Sequence, residues 1–291
     1  MYPSLDLSLI SKKYLSDGER PFLISEPIDF CFHTGSQASG TVSVMPEYNK
    51  KSKTGFILGM PPPEIMGGVL RDAGSRAIIV SMDNRSGGCT PDEFRRFCVE
   101  QSRARLFMPS PVPVVWNDFI VDKVQISQAA SLGGGGIFIY PEYSEEWPSF
   151  VSYAQELNIE PIVCIDSIEQ GNAAIAAGAK CLMLHQLDEK ELLAVKEGLP
   201  QNDKYMYMAR LRPEADFSSY SEIDLAWVLR DHGFKAVWPS TDAIFATGVS
   251  DIYPTILAMR SKAGRLFLSP RQFLMDRKKE GAQEYLGDIL Y

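Results

Sequence analysis

Histidine is scarce in this chain: three residues in 291, at His33, His185 and His232. They stand far apart, with no aspartate or cysteine at metal-ligand spacing, so no metal site is expected. The five cysteines, Cys31, Cys89, Cys98, Cys164 and Cys181, are odd in number and form no CxxC pair. That excludes a disulfide framework and a zinc ribbon, and it predicts reduced thiols in a reducing compartment, the cytoplasm or an organelle matrix or stroma. No run of about 18 apolar residues occurs, so no membrane span is expected and the chain reads as soluble. Positive charge is not in excess. The formal net charge of −8 argues against nucleic-acid partners, since phosphate contacts need a basic face. The first residues have no basic segment followed by an apolar stretch, so a secretory signal is not expected. No GxGxxG follows the first strand, which disfavours a doubly wound dinucleotide-binding sheet, and no cofactor is expected.

What the chain does have is alternation. Apolar residues make up 45% and charged residues 23%, ordinary values for a globular protein. Short β-branched runs at 77–80, 113–115, 137–140, 161–165, 180–184, 205–208 and 235–238 are separated by segments of helical period. A first strand at 42–48 brings the count to eight. Helix starts are marked by Pro63, Pro91, Asp188 and a Ser-x-x-Gln capping box at Ser167. Eight strand–helix units without a composition shift predict a (βα)8 TIM barrel over residues 42–263. Residues 1–41 and 264–291 are read as N- and C-terminal extensions lying outside that barrel.

The most informative stretch is 113–140. A strand at 113–115 is followed by Ile120, Val124, Ala129 and Leu132 at near-helical spacing, a Gly133–Gly136 break and a second strand. Its opening, Pro113-Val114-Val115-Trp116-Asn117-Asp118-Phe119-Ile120-Val121-Asp122 with Gln125-Ile126, resembles the third βα unit of indole-3-glycerol phosphate synthase. The stretch from Glu47-Tyr48-Asn49 through Ser52 to Gly55 resembles the end of that family's first strand. The resemblance implies a ribulose-phosphate-binding type of barrel, and a ring closure of an anilino-deoxyribulose phosphate with loss of carbon dioxide and water.

Carried over position by position, the chemistry does not survive. Glu47 matches the family's first-strand glutamate and Ser52 is retained. Asn49 and Asn117 stand where the resemblance implies two lysines, and an amide neither carries charge nor delivers a proton near neutral pH. Cys164 falls on the fifth-strand glutamate and His185 on the sixth-strand asparagine. Ser240 and Thr241 replace the Gly-Glu of the phosphate loop. The strand-end rule for barrels adds Asp83, Asp118, Glu142, Asp166, Arg210 and Arg212. Arg210 and Arg212 are candidates to rebuild an anion site. Cys164 with His185 on the adjacent strand is a candidate nucleophile pair, against a small apolar strand residue and a hydrogen-bonded strand-end histidine. Glu47 alone is also compatible with a relic ion pair to Lys50 or Lys51.

These substitutions favour a catalytically silent synthase-like barrel, kept as a structural or interaction subunit, with 1–41 and 264–291 as candidate docking segments for protein partners, against a C-terminal tail packed on the barrel's own base. The C-terminal extension combines Arg277-Lys278-Lys279 with an apolar end, 285–291. The alternatives are an active synthase, and a barrel enzyme with altered chemistry on a phosphorylated small molecule. The mouth separates them: Trp116 and Trp238 filling it would favour the subunit, and an open pocket of convergent polar groups would favour an enzyme.

Overall fold

A computed structural model describes residues 27–35, 40–52, 55–56, 60–83, 88–106, 108–211, 222–245 and 252–267. The strands are β1 (Ser43–Val44), β2 (Glu47–Tyr48), β3 (Lys51–Ser52), β4 (Gly55–Phe56), β5 (Ile78–Ser81) and β6 (Val114–Asn117). They continue with β7 (Gly136–Ile139), β8 (Glu160–Ile165), β9 (Cys181–Leu184), β10 (Met206–Arg210) and β11 (Ala236–Trp238). Nine of these segments form one parallel sheet in the order β1-β11-β10-β9-β8-β7-β6-β5-β2, and β3 and β4 pair as a separate hairpin. β1 and β2 are two halves of one stretch interrupted at Met45-Pro46. On one side Ser43 and Met45 N–H groups bond the carbonyls of Lys235 and Val237; on the other, Arg76 and Ile79 bond those of Val44 and Pro46. The same stretch therefore joins the last strand to the second, and the sheet closes as an eight-stranded barrel. The expected strand at 42–48 is present, divided at a proline that has no N–H to donate.

Side-chain alternation sorts every strand into two sets. Met45, Ile79, Val115, Phe138, Ile162, Cys164, Met183, Met208 and Trp238 fill the barrel. Val44, Val80, Trp116, Ile139, Val163, Leu184 and Val237 point outward under the helices. Phe138 stacks on Trp238 at 4.9 Å inside, whereas Trp116 leaves the barrel and meets Phe94 edge-on at 4.9 Å. The outer layer comprises α2 (Pro63–Asp72), α3 (Pro91–Arg103), α4 (Lys123–Ser131), α5 (Trp147–Glu156), α6 (Ile168–Ala176), α7 (Glu189–Gly198), α8 (Glu222–Asp231), α9 (Thr241–Phe245) and α10 (Ile252–Arg260). None of the described helices is long and apolar enough to cross a membrane.

Local signals explain the helix boundaries. Asp122 caps α4 in a reciprocal box with Gln125, and Asp188 caps α7 with Glu191. At Ser167 only half the expected box forms: its hydroxyl accepts from Gln170 N, but the Gln170 side chain accepts from Asp166 N instead. In α4 the buried apolar face is Ile126, Ala129 and Ala130; Val124 is exposed, so the expected spacing fails at that residue and holds at Ala129. Gly133, at φ 91°, ends α4 in the left-handed region that costs glycine least.

Residues 27–35 of the lead-in add no strand, yet they belong to the packing. A six-residue helix, α1 (Phe30–Gly35), inserts Phe30, 1% exposed, into the interior cluster beside Met206 and Ala77. Ser43 Oγ donates to the Thr34 carbonyl at 2.8 Å. A Cβ at Gly135 would lie 2.6 Å from the Ile28 carbonyl, so the lead-in runs against the start of β7 where only glycine leaves room. The described part of the lead-in thus adds no strand to the barrel, while the Phe30 ring packs into the interior cluster at its N-terminal end.

Phe30→Ala is expected to lower the unfolding free energy by about 3–5 kcal/mol, the usual cost of emptying a buried phenylalanine site. Urea unfolding of both proteins measures it. A loss under about 1 kcal/mol would mean the ring is not a plug.

Candidate functional site

Inward parity carries through to the C-terminal ends of the strands. Glu47, Ser81, Asn117, Tyr140, Cys164, His185, Arg210 and Trp238 share the inward register of Met45, Ile79, Val115, Phe138, Ile162, Met183, Met208 and Ala236. They form the topmost layer of the barrel, and most of them are polar. A cavity of about 260 Å³ opens above, lined by residues including Asn49, Asp83, Asp118, Glu142, His185 and Arg210.

The layer is tied together by a directed chain of hydrogen bonds. Tyr140 OH donates to Asn117 Oδ1 at 2.9 Å, and Asn117 Nδ2 donates to Ser81 Oγ at 3.0 Å. Ser81 Oγ donates in turn to Glu47 Oε1, which also receives Asn49 Nδ2 at 3.5 Å. Trp238 Nε1 donates to the other Glu47 oxygen at 3.2 Å. Burial pushes the Tyr140 phenol far up, so it stays a donor. Both oxygens of Glu47 are thereby engaged, and both ends of the Asn117 amide. The expected ion pair of Glu47 with Lys50 is not formed: Lys50 reaches Glu93 at 2.9 Å. The Lys51 and Ser52 side chains lie outside the described residues, as does Arg212.

Other predicted residues divide. Asp83, Asp118, Glu142, His185 and Arg210 reach the cavity, as the strand-end rule requires. The Arg210 guanidinium lies 4.0 Å from the Trp238 ring centroid, a cation–π contact. The His185 ring meets Tyr140 edge-on at 5.6 Å. Cys164 and Asp166 are not on the cavity wall. Cys164 is fully buried, and burial drives its thiol far up, which removes the thiolate that a nucleophile needs and favours the small-core-residue reading. Trp116 faces away from the mouth, and Trp238 is buried in the barrel interior rather than lining the cavity.

Ser240 and Thr241 follow β11, where the resemblance placed the phosphate loop. Ser240 N–H donates to Glu222 Oε2 at 2.8 Å, and Ser240 Oγ to Glu222 Oε1. Donors of the kind that hold a phosphate are therefore taken by an internal carboxylate. Sequence reading missed Glu222, which opens α8, 18 residues before Ser240. It also missed Ser81 and the ring cluster of Phe119, Tyr140 and Tyr143, whose closest pair is Phe119–Tyr143 at 4.5 Å. Alternation along β5 and β7 could have placed Ser81 and Tyr140 in the upper layer. Nothing in the sequence pairs Glu222 with Ser240.

Among the described residues the lining carries four carboxylates, Glu47, Asp83, Asp118 and Glu142, and one guanidinium, Arg210. Asp118 is pushed up chiefly by burial, with the charge of Asp83 adding to it; bonds from Phe119 N–H and the Gln125 amide oppose the rise.

No family model matches the chain. It is similar to the indole-3-glycerol phosphate synthase of Methanothermobacter marburgensis, 30% identical over 183 residues, which is 61% of each chain. The Methanocaldococcus jannaschii synthase is 33% identical over 82 residues, 28% of this chain and 31% of the relative. That of Leptospira interrogans is 21% identical over 198 residues, 65% and 75% of the two. The matched stretch thus spans less than two-thirds of the first two relatives. Solved structures of similar fold include native KDPGal, at TM-score 0.57 and 15% identity, covering 80% of this chain and 98% of that one. 3-Hexulose-6-phosphate synthase aligns at TM-score 0.54 and 12% identity, covering 78% and 100%. The chain is thus similar, at low identity, to indole-3-glycerol phosphate synthases, and its fold is a TIM barrel.

The raised Asp118 carboxyl sets a pH dependence. An acid whose folded pKa lies above its unfolded value binds its proton more tightly when folded. Its stabilising contribution is complete below the ordinary aspartate value and is lost as pH rises through the folded one. Relative to Asp118→Asn, the wild-type chain should therefore gain stability between pH 7 and pH 4. Urea midpoints of the two proteins at both pH values measure this, and a relative loss on acidification would contradict the assignment.

Proposed function

We propose that this divergent relative does not carry out the synthase ring closure and works as a binding or structural subunit built on a synthase-like barrel. The observation that supports this best is the bonded layer around Asn117. The side chain at the position of one family lysine is an uncharged amide whose carbonyl and amino groups are both held, by Tyr140 and Ser81. Glu47, the retained glutamate, is held by Ser81 and Trp238. Both of its oxygens are thereby occupied by donors from within the chain. A positioned acid or base contributes about 10²–10⁴-fold to a rate, so two missing lysines and a missing fifth-strand carboxylate together remove most of an expected acceleration.

Electrostatics point the same way. The synthase substrate carries a phosphate and a carboxylate. The described cavity lining is predominantly acidic, and Glu222 occupies the Ser240 donors. Bringing a multiply charged anion there costs free energy unless other cations compensate.

A second reading rests on the cavity itself. The mouth is open, and Asp83, Asp118, His185 and Arg210 converge on it, the arrangement named above as favouring an enzyme. That reading is altered chemistry on a small molecule, with Asp118 as proton donor.

Incubation of the purified chain with the anilino-deoxyribulose phosphate, followed by indole fluorescence, is expected to give no indole-3-glycerol phosphate above the uncatalysed level. Asn49→Lys with Asn117→Lys should not restore it. Turnover by the unaltered chain, or complementation of a tryptophan auxotroph, would overturn the proposal. The subunit role has a separate test. Residues 268–291 lie outside the described structure, and removal of 277–291 is expected to release partners that co-purify with the full chain. Retention of every partner by the folded truncation would exclude docking through that end.

A further inference from the structure

We propose that Cys31, Glu160 and Cys181 form a zinc site at the N-terminal end of the barrel, fastening the lead-in helix α1 to the sheet. Glu160 and Cys181 are the first residues of the adjacent strands β8 and β9, and both share the inward register of the barrel filling. They lie at the end opposite the cavity. Cys31 reaches them from α1, next to the plug residue Phe30.

The geometry is that of a metal clamp. The two Sγ atoms are 3.4 Å apart, and one ligand atom from each of the three residues lies within 4.8 Å of the others. Zinc bonds of about 2.3 Å to sulfur at a tetrahedral angle separate two thiolates by about 3.8 Å, a few tenths of an ångström from the observed spacing. Glu160 Oε1 is buried and has no hydrogen-bond partner, while the carboxyl group as a whole interacts with the Cys31 and Cys181 thiols, the two sulfurs of the site. A buried carboxylate oxygen left unbonded costs free energy, and a cation removes that cost. Two thiolates and one carboxylate select a borderline-soft divalent ion over magnesium or calcium. A water completes the set. Half-buried Cys31 supplies the way in. The ligands escape any sequence pattern because the two cysteines are 150 residues apart.

The test uses the untagged full-length chain, purified without chelator and equilibrated with zinc chloride. About one zinc per chain is expected by elemental analysis. Cysteine-to-serine replacement at half-buried Cys31 should lower this to less than about a tenth, and Glu160→Gln should weaken zinc binding at least about tenfold. Circular dichroism establishes that each variant is folded; should Cys31→Ser not fold, Glu160→Gln carries the test. Cadmium in place of zinc should give a thiolate-to-metal absorption band in the wild-type chain that Cys31→Ser lacks. Three results would each overturn the proposal: no zinc bound by the wild-type chain, undiminished zinc in the folded variants, or two thiols missing from the thiol count and restored by reductant. The last would identify a Cys31–Cys181 disulfide instead.

Discussion

A closed barrel forces the inward side chains at its strand ends to bond one another or a ligand, and this chain has taken the first course. Eight inward positions converge in the layer above Met45, Val115 and Phe138. An unbonded polar group there costs about 1–3 kcal/mol, so the layer must be satisfied as a set. The run from Tyr140 through Asn117 and Ser81 to Glu47, met from the other side by Trp238, does this with donors and acceptors in one consistent direction. Lysine in place of Asn117 would offer three donors and no acceptor, leaving the Tyr140 hydroxyl without its partner. The asparagine is therefore integral to how this barrel closes its upper layer.

The same economy governs the far side of the mouth. A turn after the last strand presents N–H and hydroxyl donors that an anion can satisfy. Glu222 supplies that anion from within the chain, so folding itself completes what a bound phosphate would complete elsewhere. Arg210 is spent comparably: its guanidinium rests on the buried Trp238 ring, in a contact made within the chain. Together these contacts preorganise the mouth without a ligand, and they leave its exposed groups mainly acidic.

Much of the architecture was legible because it rests on short-range rules. Alternation named the strands, and Pro91, Asp188 and Gly133 marked helix ends through caps and a positive φ. The strand-end rule placed Asp83, Asp118, Glu142, His185 and Arg210 on one cavity. What stayed hidden depends on long-range pairing. Glu222 with Ser240, Lys50 with Glu93, and Phe30 in the barrel's lower end are contacts between segments that no local period connects. Trp116 shows a subtler limit. Its place in the motif suggested the mouth, but strand parity turns it outward, one residue from the inward Asn117.

The motif that carries the resemblance can now be read for what its retained residues do. Asp122 caps α4, and Gln125 Oε1 accepts from the N–H groups of Val121 and Asp122. The Gln125 amide donates to Asp118 and to the Phe119 carbonyl. Asp118, Asp122 and Gln125 thus hold one strand-to-helix turn in a fixed shape, and the altered residue, Asn117, sits immediately before that turn. Turn geometry and reacting group are separable here because they use different atoms: the turn is built from backbone donors and two capping side chains, while chemistry would reside in a single inward side chain. A chain can exchange that side chain and keep the turn, provided the upper layer of the barrel finds a new set of partners. The Tyr140–Asn117–Ser81–Glu47 run is that set, which is why similarity to the synthases persists in the frame while the groups that the resemblance assigns to catalysis differ.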